Sequence, residues 1–351
     1  MHAESSLGGH LALVCHFPSA FTISTVRMPR QYHLVWSGTA FPAAYQLAVR
    51  SILDADELAT VRIHVIGEPP TVAAFTDMAG FDRVRMEDVD PQQLFGLLPA
   101  PLQATWDIYD ALPTQAASAR SNLIRYALLA LHGGVYVDFD AIVLRPLHDL
   151  SHADAFLGLE QVWSGDAARV EGRWRALIRP RHGVWALSWL ARRLDSRLLR
   201  GRLGLARRLR PLDRLWAGEQ ANNAIIGARA GSEFIETVLW EAMHARVGTR
   251  YALGPTLVDR VARLHPELVE TLPPAVLYEV PPGQSFRFFE DCTLDLAPAA
   301  AAMHYVGSNH GHLLAELQLS DDRFATRPEP FWALGRRLLA SPPPAPVDAV
   351  L

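Results

Sequence analysis

Between Ser118 and Asp140 the sequence changes its hydrophobic period once, and that change dictates a helix running straight into a strand. In Ser118-Ala-Arg-Ser-Asn-Leu-Ile-Arg-Tyr-Ala-Leu-Leu-Ala-Leu-His132, the residues Ser118, Asn122, Arg125 and His132 share one stripe at helical spacing. Ile124, Ala127, Leu128 and Leu131 share the opposite side, where a core belongs. Gly133-Gly134 supplies the stop, since glycine takes the left-handed backbone of a C-cap without strain. Val135, Val137 and Phe139 then alternate with Tyr136, Asp138 and Asp140, the period of a strand. The two aspartates therefore share one face, about 6–7 Å apart. Two unpaired carboxylates beside a core strand carry a heavy desolvation cost. A divalent cation relieves it, because hard oxygen ligands hold such an ion and leave positions open for phosphate oxygens.

Spacing alone selects weakly. Asp-x-Asp occurs three times, as Asp54-Ala-Asp56, Asp88-Val-Asp90 and Asp138-Phe-Asp140. The first two lack a flanking apolar strand and read as solvated turns. Only the third stands at the edge of an expected core strand.

Around this centre, strands are expected at Tyr32–Trp36, Val61–Ile66 and Val84–Met86, with a helix over Ala43–Leu53 between the first two. The stretch 91–117 reads as connecting structure with a short helix near Trp106, and Ala155–Leu159 as another strand. Late strands are expected at Val276–Val280 and Ala301–Val306, while Glu219-Gln-Ala-Asn-Asn-Ala-Ile-Ile-Gly227 places polar amides directly before a strand. Strands alternating with helices predict an α/β fold with a mostly parallel, Rossmann-like sheet flanked by helices. Ligands bind such sheets beyond the carboxyl ends of the strands, where Asp138 and Asp140 emerge.

The chain has no lysine, so all 33 of its basic residues are arginines and Schiff-base chemistry is excluded. Cys15 and Cys292 are too few and too far apart for a disulfide framework or zinc knuckle, which fits a reducing, cytoplasmic compartment. No apolar run approaches the roughly 20 residues needed to cross a bilayer. The first 27 residues make a poor signal peptide and read as a disordered extension, and 341–351 as a disordered Pro-rich tail. Residues 28–335 are expected to form one domain, with a helical Arg-rich insertion at 169–216. From Arg169 to Arg214, fourteen arginines face only Glu171, Asp195 and Asp213, and Leu187, Leu190, Leu194 and Leu198 keep helical spacing beside Trp185 and Trp189. Two readings stand: helices with solvated arginine faces, or a docking surface over 169–214 for an anionic membrane leaflet or a phosphate-bearing acceptor. Nothing accompanies this segment that would read nucleic acid, and a net charge of −4 gives no global attraction to it.

Arg125 lies on the polar stripe of the helix that runs into the aspartate-bearing strand and offers a bidentate partner for phosphate or carboxylate; a snorkelling surface arginine is the competing reading. Asn122, one turn earlier, offers an amide to sugar hydroxyls or is a plain surface amide. His304 ends a late strand and could complete a metal shell, against the reading of a satisfied core histidine. Ser308 and Asn309 follow in a loop suited to phosphate. Trp36 could stack on a nucleobase, with core packing as the alternative. His310-Gly-His312 lacks the further ligands a zinc site needs.

The run Ala119-Arg-Ser-Asn-Leu-Ile-Arg-Tyr-Ala-Leu-Leu-Ala-Leu-His-Gly-Gly-Val-Tyr-Val-Asp-Phe-Asp-Ala-Ile-Val-Leu-Arg-Pro-Leu147 closely resembles the signature of the DxD-containing sugar-transferase family. That family includes the initiating α-1,6-mannosyltransferases, α-1,4-galactosyltransferases and bacterial capsule enzymes, with the clostridial glucosylating toxins as distant relatives. His33-Leu-Val-Trp-Ser-Gly38, Asn222-Asn-Ala-Ile-Ile-Gly227, Gly254-Pro-Thr256 and His304 match in the same order, so the resemblance spans roughly 30–310. It implies a GT-A fold and retaining transfer of a hexose from a UDP- or GDP-sugar to a glycan or lipid-linked acceptor, in surface polysaccharide or glycolipid synthesis. It implies Mn2+ or Mg2+ held by Asp140, with Asp138 on the ion, ribose or sugar, and His304 closing the shell. Arg125 would address the sugar or phosphates and Trp36 the base; Gly38, Asn122, Ser308 and Asn309 are further donor-side candidates. Glu219, Asn222 and Asn223 are candidates for the acceptor or sugar, with Glu219 the nearest alternative, as a covalent nucleophile, to front-face attack by the acceptor hydroxyl. Many members carry Asp where this chain has Asn122, so donor preference does not transfer. A peripheral position on the cytoplasmic membrane face is the matching expectation. A metal-dependent hydrolase built on Asp138, Asp140 and His304, or an idle nucleotide- or glycan-binding protein of this fold, are the alternatives.

Overall fold

A computed structural model describes residues 28–163, 180–209, 212, 217–245 and 251–341. The expected extension over 1–27, the tail beyond 341 and much of the Arg-rich segment lie outside the described residues.

Four strands form a parallel half-sheet: β1 (Gln31–Ser37), β2 (Thr60–Ile66), β3 (Val84–Asp88) and β4 (Gly134–Val137). The sheet continues through β7 (Ala217–Ala228), antiparallel to both its neighbours, then β6 (Ala155–Trp163) and β8 (Glu270–Leu272), in the order β3-β2-β1-β4-β7-β6-β8. A separate two-stranded ribbon pairs β5 (Ala141–Val143) with β9 (Ala302–His304). The α/β, mostly parallel architecture expected from the sequence is the one observed.

Helices cover both faces, which is why the central strands are apolar almost throughout. The Ala117–His132, Glu233–His244 and Pro255–Leu264 helices enclose one core, the Gln46–Ala55 helix covers the other, and the Pro330–Ala340 helix closes a third cluster near the ribbon. The Ala117–His132 helix differs from the expected amphipathic one: residues 122–130 are all buried, Asn122 and Arg125 included. The middle of its polar stripe, Asn122 and Arg125, turns toward the end of β4 instead of solvent, while Ser118 and His132 at its two ends are exposed. Gly133 and Gly134 have φ of 63° and 101°, and a Cβ on Gly134 would lie 2.3 Å from the Gln31 carbonyl oxygen. Conformation and close approach both require glycine there.

Several boundaries move. β4 ends at Val137, and Asp138–Asp140 form a turn into β5 instead of continuing the strand. The expected strand at 276–280 is a short Pro274–Leu277 helix, because Pro273-Pro274 fixes a helical start and offers no ladder donor. The amides at 222–223 lie inside β7, not before it. There the register slips: Leu157 opposes Ile226 while Gly158 opposes Asn222, leaving residues 223–225 without partners on β6. Asp56, read as part of a solvated turn, is buried against His148 Nδ1 at 3.0 Å and Arg30 at 3.4 Å. It follows the end of the Gln46–Ala55 helix and turns inward to accept the Leu58 amide. Asp88 and Asp90 are exposed as expected, but not in a free turn: Asp88 ends β3 and Asp90 caps the Pro91–Gly96 helix.

The described part of the Arg-rich insertion is helical, with a Pro180–Leu199 helix and a short Leu205–Arg208 helix. No helix among the described residues is long and apolar enough to cross a membrane.

Candidate active site

Beyond the end of β4 the chain turns sharply. The Asp138 amide donates to the Ala224 carbonyl of β7 at 2.8 Å, and the Ala141 amide returns to the Asp138 carbonyl at 3.1 Å. β5 leaves from this turn and pairs with β9 in a register that sets Ala141 opposite His304. That register carries a ligand from the far end of the chain to the aspartates. His304 Nε2 lies 3.3 Å from Asp140 Oδ1, and the Gly307 amide donates to Asp140 Oδ2 at 2.7 Å. Gly307 must be glycine for packing reasons, since a Cβ would fall 2.4 Å from the Tyr45 hydroxyl. One ligand atom from each of Asp138, Asp140 and His304 lies within 4.8 Å of the others.

Arg125 closes the other side. Its guanidinium contacts Asp138 Oδ1 at 3.0 Å, donates to the Asn223 carbonyl and lies 4.1 Å above the Tyr136 ring. The Tyr136 hydroxyl donates to the same Asp138 oxygen at 2.6 Å. Asn122 accepts from the Asn223 side-chain amide at 2.9 Å, and that amide also reaches the Tyr126 hydroxyl at 3.1 Å. Gly254 leaves room for this pair: a Cβ there would sit 2.8 Å from Asn122 Nδ2. The irregular register of β7 thus has a purpose, turning the Asn223 carbonyl toward Arg125.

Electrostatics separate the two aspartates. Burial raises the Asp138 carboxyl, with Arg125 opposing. Burial acts on Asp140 in the same sense but His304 and the Gly307 amide outweigh it, so Asp140 is held below its ordinary value. His304 is raised, because Asp140 overcomes the burial that would lower it. A cation entering between these groups would displace a proton from His304 and meet one oxygen from each aspartate. Two carboxylates and an imidazole suit a hard to borderline divalent ion, so the donor set fits the expected Mn2+ or Mg2+.

The other expected site residues distribute unevenly. Trp36 is half-buried at the end of β1, edge-on to Phe139 at 5.7 Å, its indole N–H on the carbonyl of exposed Gly38 at 2.9 Å. It neighbours the turn while packing with Phe41 and Tyr45. Ser308 and Asn309 are exposed beyond Gly307, and Asn309 turns its amide to the Pro282 carbonyl at 3.0 Å. The Asn222 side chain accepts the Ala224 amide at 2.7 Å and shapes the slip in β7. Glu219 is exposed, with its carbonyl held by Arg263 at 2.6 Å; the structure does not bring its carboxylate to the Asp138, Asp140, Arg125 and His304 group. His310 bonds Ser285 at 2.9 Å and packs at a tilt against Phe289, while His312 is exposed, so His-x-His gathers no metal set among the described residues.

Sequence reasoning missed Tyr136, Gly307, Tyr278 and Glu160. Tyr136 carried a signal, sharing the strand period with Asp138. Tyr278 takes the Ile225 amide at 2.9 Å and stands edge-on to His304 at 5.6 Å. Buried Glu160 adds negative potential to both Tyr278 and His304. Neither is visible from local pattern.

Residues 90–157 match the family model described as "Glycosyltransferase sugar-binding region containing DXD motif". The matched region holds Asn122, Arg125, Tyr136, Asp138 and Asp140. A search of curated protein sequences finds no match. Among solved structures, the chain is similar to the PaToxG glycosyltransferase, at 12% identity over 69% of this chain and 70% of that one, with a TM-score of 0.43. It is also similar to the galactosyltransferase LgtC solved with donor and acceptor sugar analogues, at 15% identity over 89% of this chain and 97% of that one, TM-score 0.39. The bifunctional WbbM matches at 12% identity over 91% of this chain but only 51% of its own length, TM-score 0.46.

Proposed function

We propose that the protein is a metal-dependent, retaining glycosyltransferase that moves a hexose from a UDP- or GDP-sugar to a glycan or lipid-linked acceptor. Surface polysaccharide or glycolipid synthesis at the cytoplasmic face of a membrane is the process this fits. The observation that carries the reading is the convergence of Asp138, Asp140 and His304 within 4.8 Å, with Arg125 joined to Asp138. An acidic pair in the turn after β4 and one late histidine meet only through the fold, at the end of a central strand where α/β sheets bind ligands.

Asp140, Asp138 and His304 would hold Mn2+ or Mg2+, whose chemistry when bound is to neutralise charge on a departing diphosphate. The protein's own groups prepare the place. His304 and the Gly307 amide orient Asp140, and Tyr136 and Arg125 fix Asp138, so little reorganisation remains when the donor arrives. Arg125 also supplies positive charge in a buried setting, where it acts more strongly than in water. Trp36 and Gly38, beside Phe139, would border the nucleotide, and Ser308 and Asn309 the phosphates. Asn122 would act through Asn223 and through any sugar hydroxyl it reaches. Retention through front-face attack by the acceptor hydroxyl is favoured over a covalent step, since the exposed Glu219 has no contact with this group. Asn222 and Asn223 would border the acceptor side.

The test is a panel of UDP- and GDP-sugars with Mn2+ or Mg2+, read by thermal shift, sugar release and product anomeric configuration by NMR. One donor should stabilise selectively, and its product should keep the donor's configuration. Turnover of simple phosphoesters with no response to any nucleotide-sugar would replace this reading by the hydrolase.

A further inference from the structure

The Pro180–Leu199 helix is inside out. Trp185, Ser188, Arg192 and Ser196 face the protein, and the Arg192 guanidinium donates to the Leu209 carbonyl at 2.8 Å. Arg193 is likewise occupied, ion-paired with Glu290 at 3.3 Å and stacked over Phe286. Solvent meets Leu187, Leu190, Leu194 and Leu198, which are 69, 46, 46 and 70% exposed and fall in one stripe at helical spacing. A contiguous row of bare leucines on a water-facing surface marks a place where something apolar binds.

What binds is indicated by charge. Arg197, Arg200 and Arg202 at the end of this helix and in the turn after it, and Arg207 and Arg208 on the short Leu205–Arg208 helix, are exposed; Arg197 lies in the field of Glu290, and the other four have no acidic partner among the described residues. Asp195, the one acid between 180 and 209, is turned inward and accepts the Leu203 and Leu205 amides at 3.0 and 2.9 Å. The turn carrying the arginines is pinned. The Cys292 amide reaches the Arg200 carbonyl at 3.2 Å, and a Cβ on Gly201 would overlap the Asp291 carboxylate. Projecting leucines beside cationic side chains of a single sign are the make-up of a helix lying in a headgroup interface.

We propose that this leucine face and the arginines beside it dock the protein on an anionic lipid bilayer, the leucines entering the acyl boundary and the arginines meeting lipid phosphates. This extends the peripheral placement proposed above by assigning its surface, and it is read by binding alone, whatever reaction the aspartates serve. The placement has a geometric consequence. Trp189 donates to the Gly283 carbonyl at 2.7 Å, and Ser285 of the same stretch contacts His310 and Asn309, in the turn whose Gly307 amide holds Asp140. This contact chain joins the docking helix to the turn that holds Asp140, which would let a lipid-linked acceptor approach from the membrane.

Vesicle co-sedimentation of the full chain, without nucleotide-sugar, tests this. Binding should be strong to phosphatidylcholine vesicles containing about a third phosphatidylglycerol, weak to pure phosphatidylcholine, and should fall with salt. Leu187→Gln with Leu194→Gln, and separately Arg202→Glu with Arg207→Glu, should each weaken partition by about tenfold or more. Should the leucine pair fail to fold, the arginine pair and the salt series still decide. Wild-type-like binding by either folded pair, no preference for anionic vesicles, or a dimer that the leucine pair dissolves while vesicle binding is unchanged, would each overturn the proposal.

Discussion

Two aspartate–histidine pairs, built from the same Asp-x-Asp spacing, serve different ends. At the end of the Gln46–Ala55 helix, Asp56 meets His148 Nδ1 at 3.0 Å, Asp149 takes the other imidazole nitrogen at 3.1 Å, and both Asp56 and His148 side chains are 2% exposed. Its sister, Asp54, points away to Arg337 on the surface. Beyond β4, Asp140 meets His304 at 3.3 Å, but Asp138 turns to the same place and all three side chains keep partial access to solvent. The first pair is closed by protein and is read as structural. The second converges and stays open, which is what an exchangeable ligand requires. The motif is common to both; the convergence is not.

The largest effect expected separates them by substitution. Asp140→Asn should cut transfer by about a thousandfold or more while leaving the unfolding temperature near wild type. Asp56→Asn should do the reverse, costing about 3–5 kcal/mol of stability by stranding a buried partner, with the folded fraction turning over normally. Initial rates normalised to folded protein, alongside urea unfolding, measure both; a reversal of the two phenotypes would dissolve the contrast.

Next in size is metal linkage. Mn2+ at a hundred times its dissociation constant should add about 2.7 kcal/mol to the stability of wild type and of Asp56→Asn, and nothing to Asp140→Asn. Calorimetric titration supplies the constant. Arg125→Lys keeps the charge but loses the planar fork that spans Asp138 and the Asn223 carbonyl, so kcat should drop by about ten- to a hundredfold.

The smallest effects are in pH. His304 holds its proton above the ordinary histidine value, so Mn2+ affinity should climb with pH, by up to about tenfold per unit, until that proton is gone. A third histidine pair sharpens this by having the opposite sign. His33 and His64, hydrogen-bonded at 2.9 Å inside the sheet, are lowered by burial to about 3 and about 2. Folded protein therefore refuses protons that the unfolded chain accepts below about 6.5. Their stability contribution is complete above that pH and is lost as pH falls toward the folded values, by up to about 1.4 kcal/mol per unit for each ring. His64→Asn should flatten the slope of urea stability between pH 6.5 and 4.

Much of this was legible because local period and global position agree around Gly133-Gly134. Helix, stop and strand each follow from nearest-neighbour chemistry, and Asp138, Asp140 and Arg125 follow from them. What stayed hidden depends on partners far away in sequence. Nothing near Asp56 announces His148. The Ala117–His132 helix looked amphipathic because Asn122 and Arg125 are polar, yet their satisfaction comes from Asn223 and Asp138, which only the fold supplies. The leucines at 187–198 keep a core-like spacing, and spacing does not say which side of a helix faces out. At 276–280 apolar content outweighed the two prolines ahead of it, whose fixed φ decides the geometry.

The β5–β9 ribbon has a consequence for how the protein comes into being. A nascent polypeptide synthesised as far as β8 already holds every strand of the large sheet, Arg125 and both aspartates, yet it lacks the imidazole and the glycine amide that complete Asp140. Under the proposed function the site is complete only once β9 pairs back to β5, so molecules truncated before Gly307 should fold their large sheet yet fail to transfer.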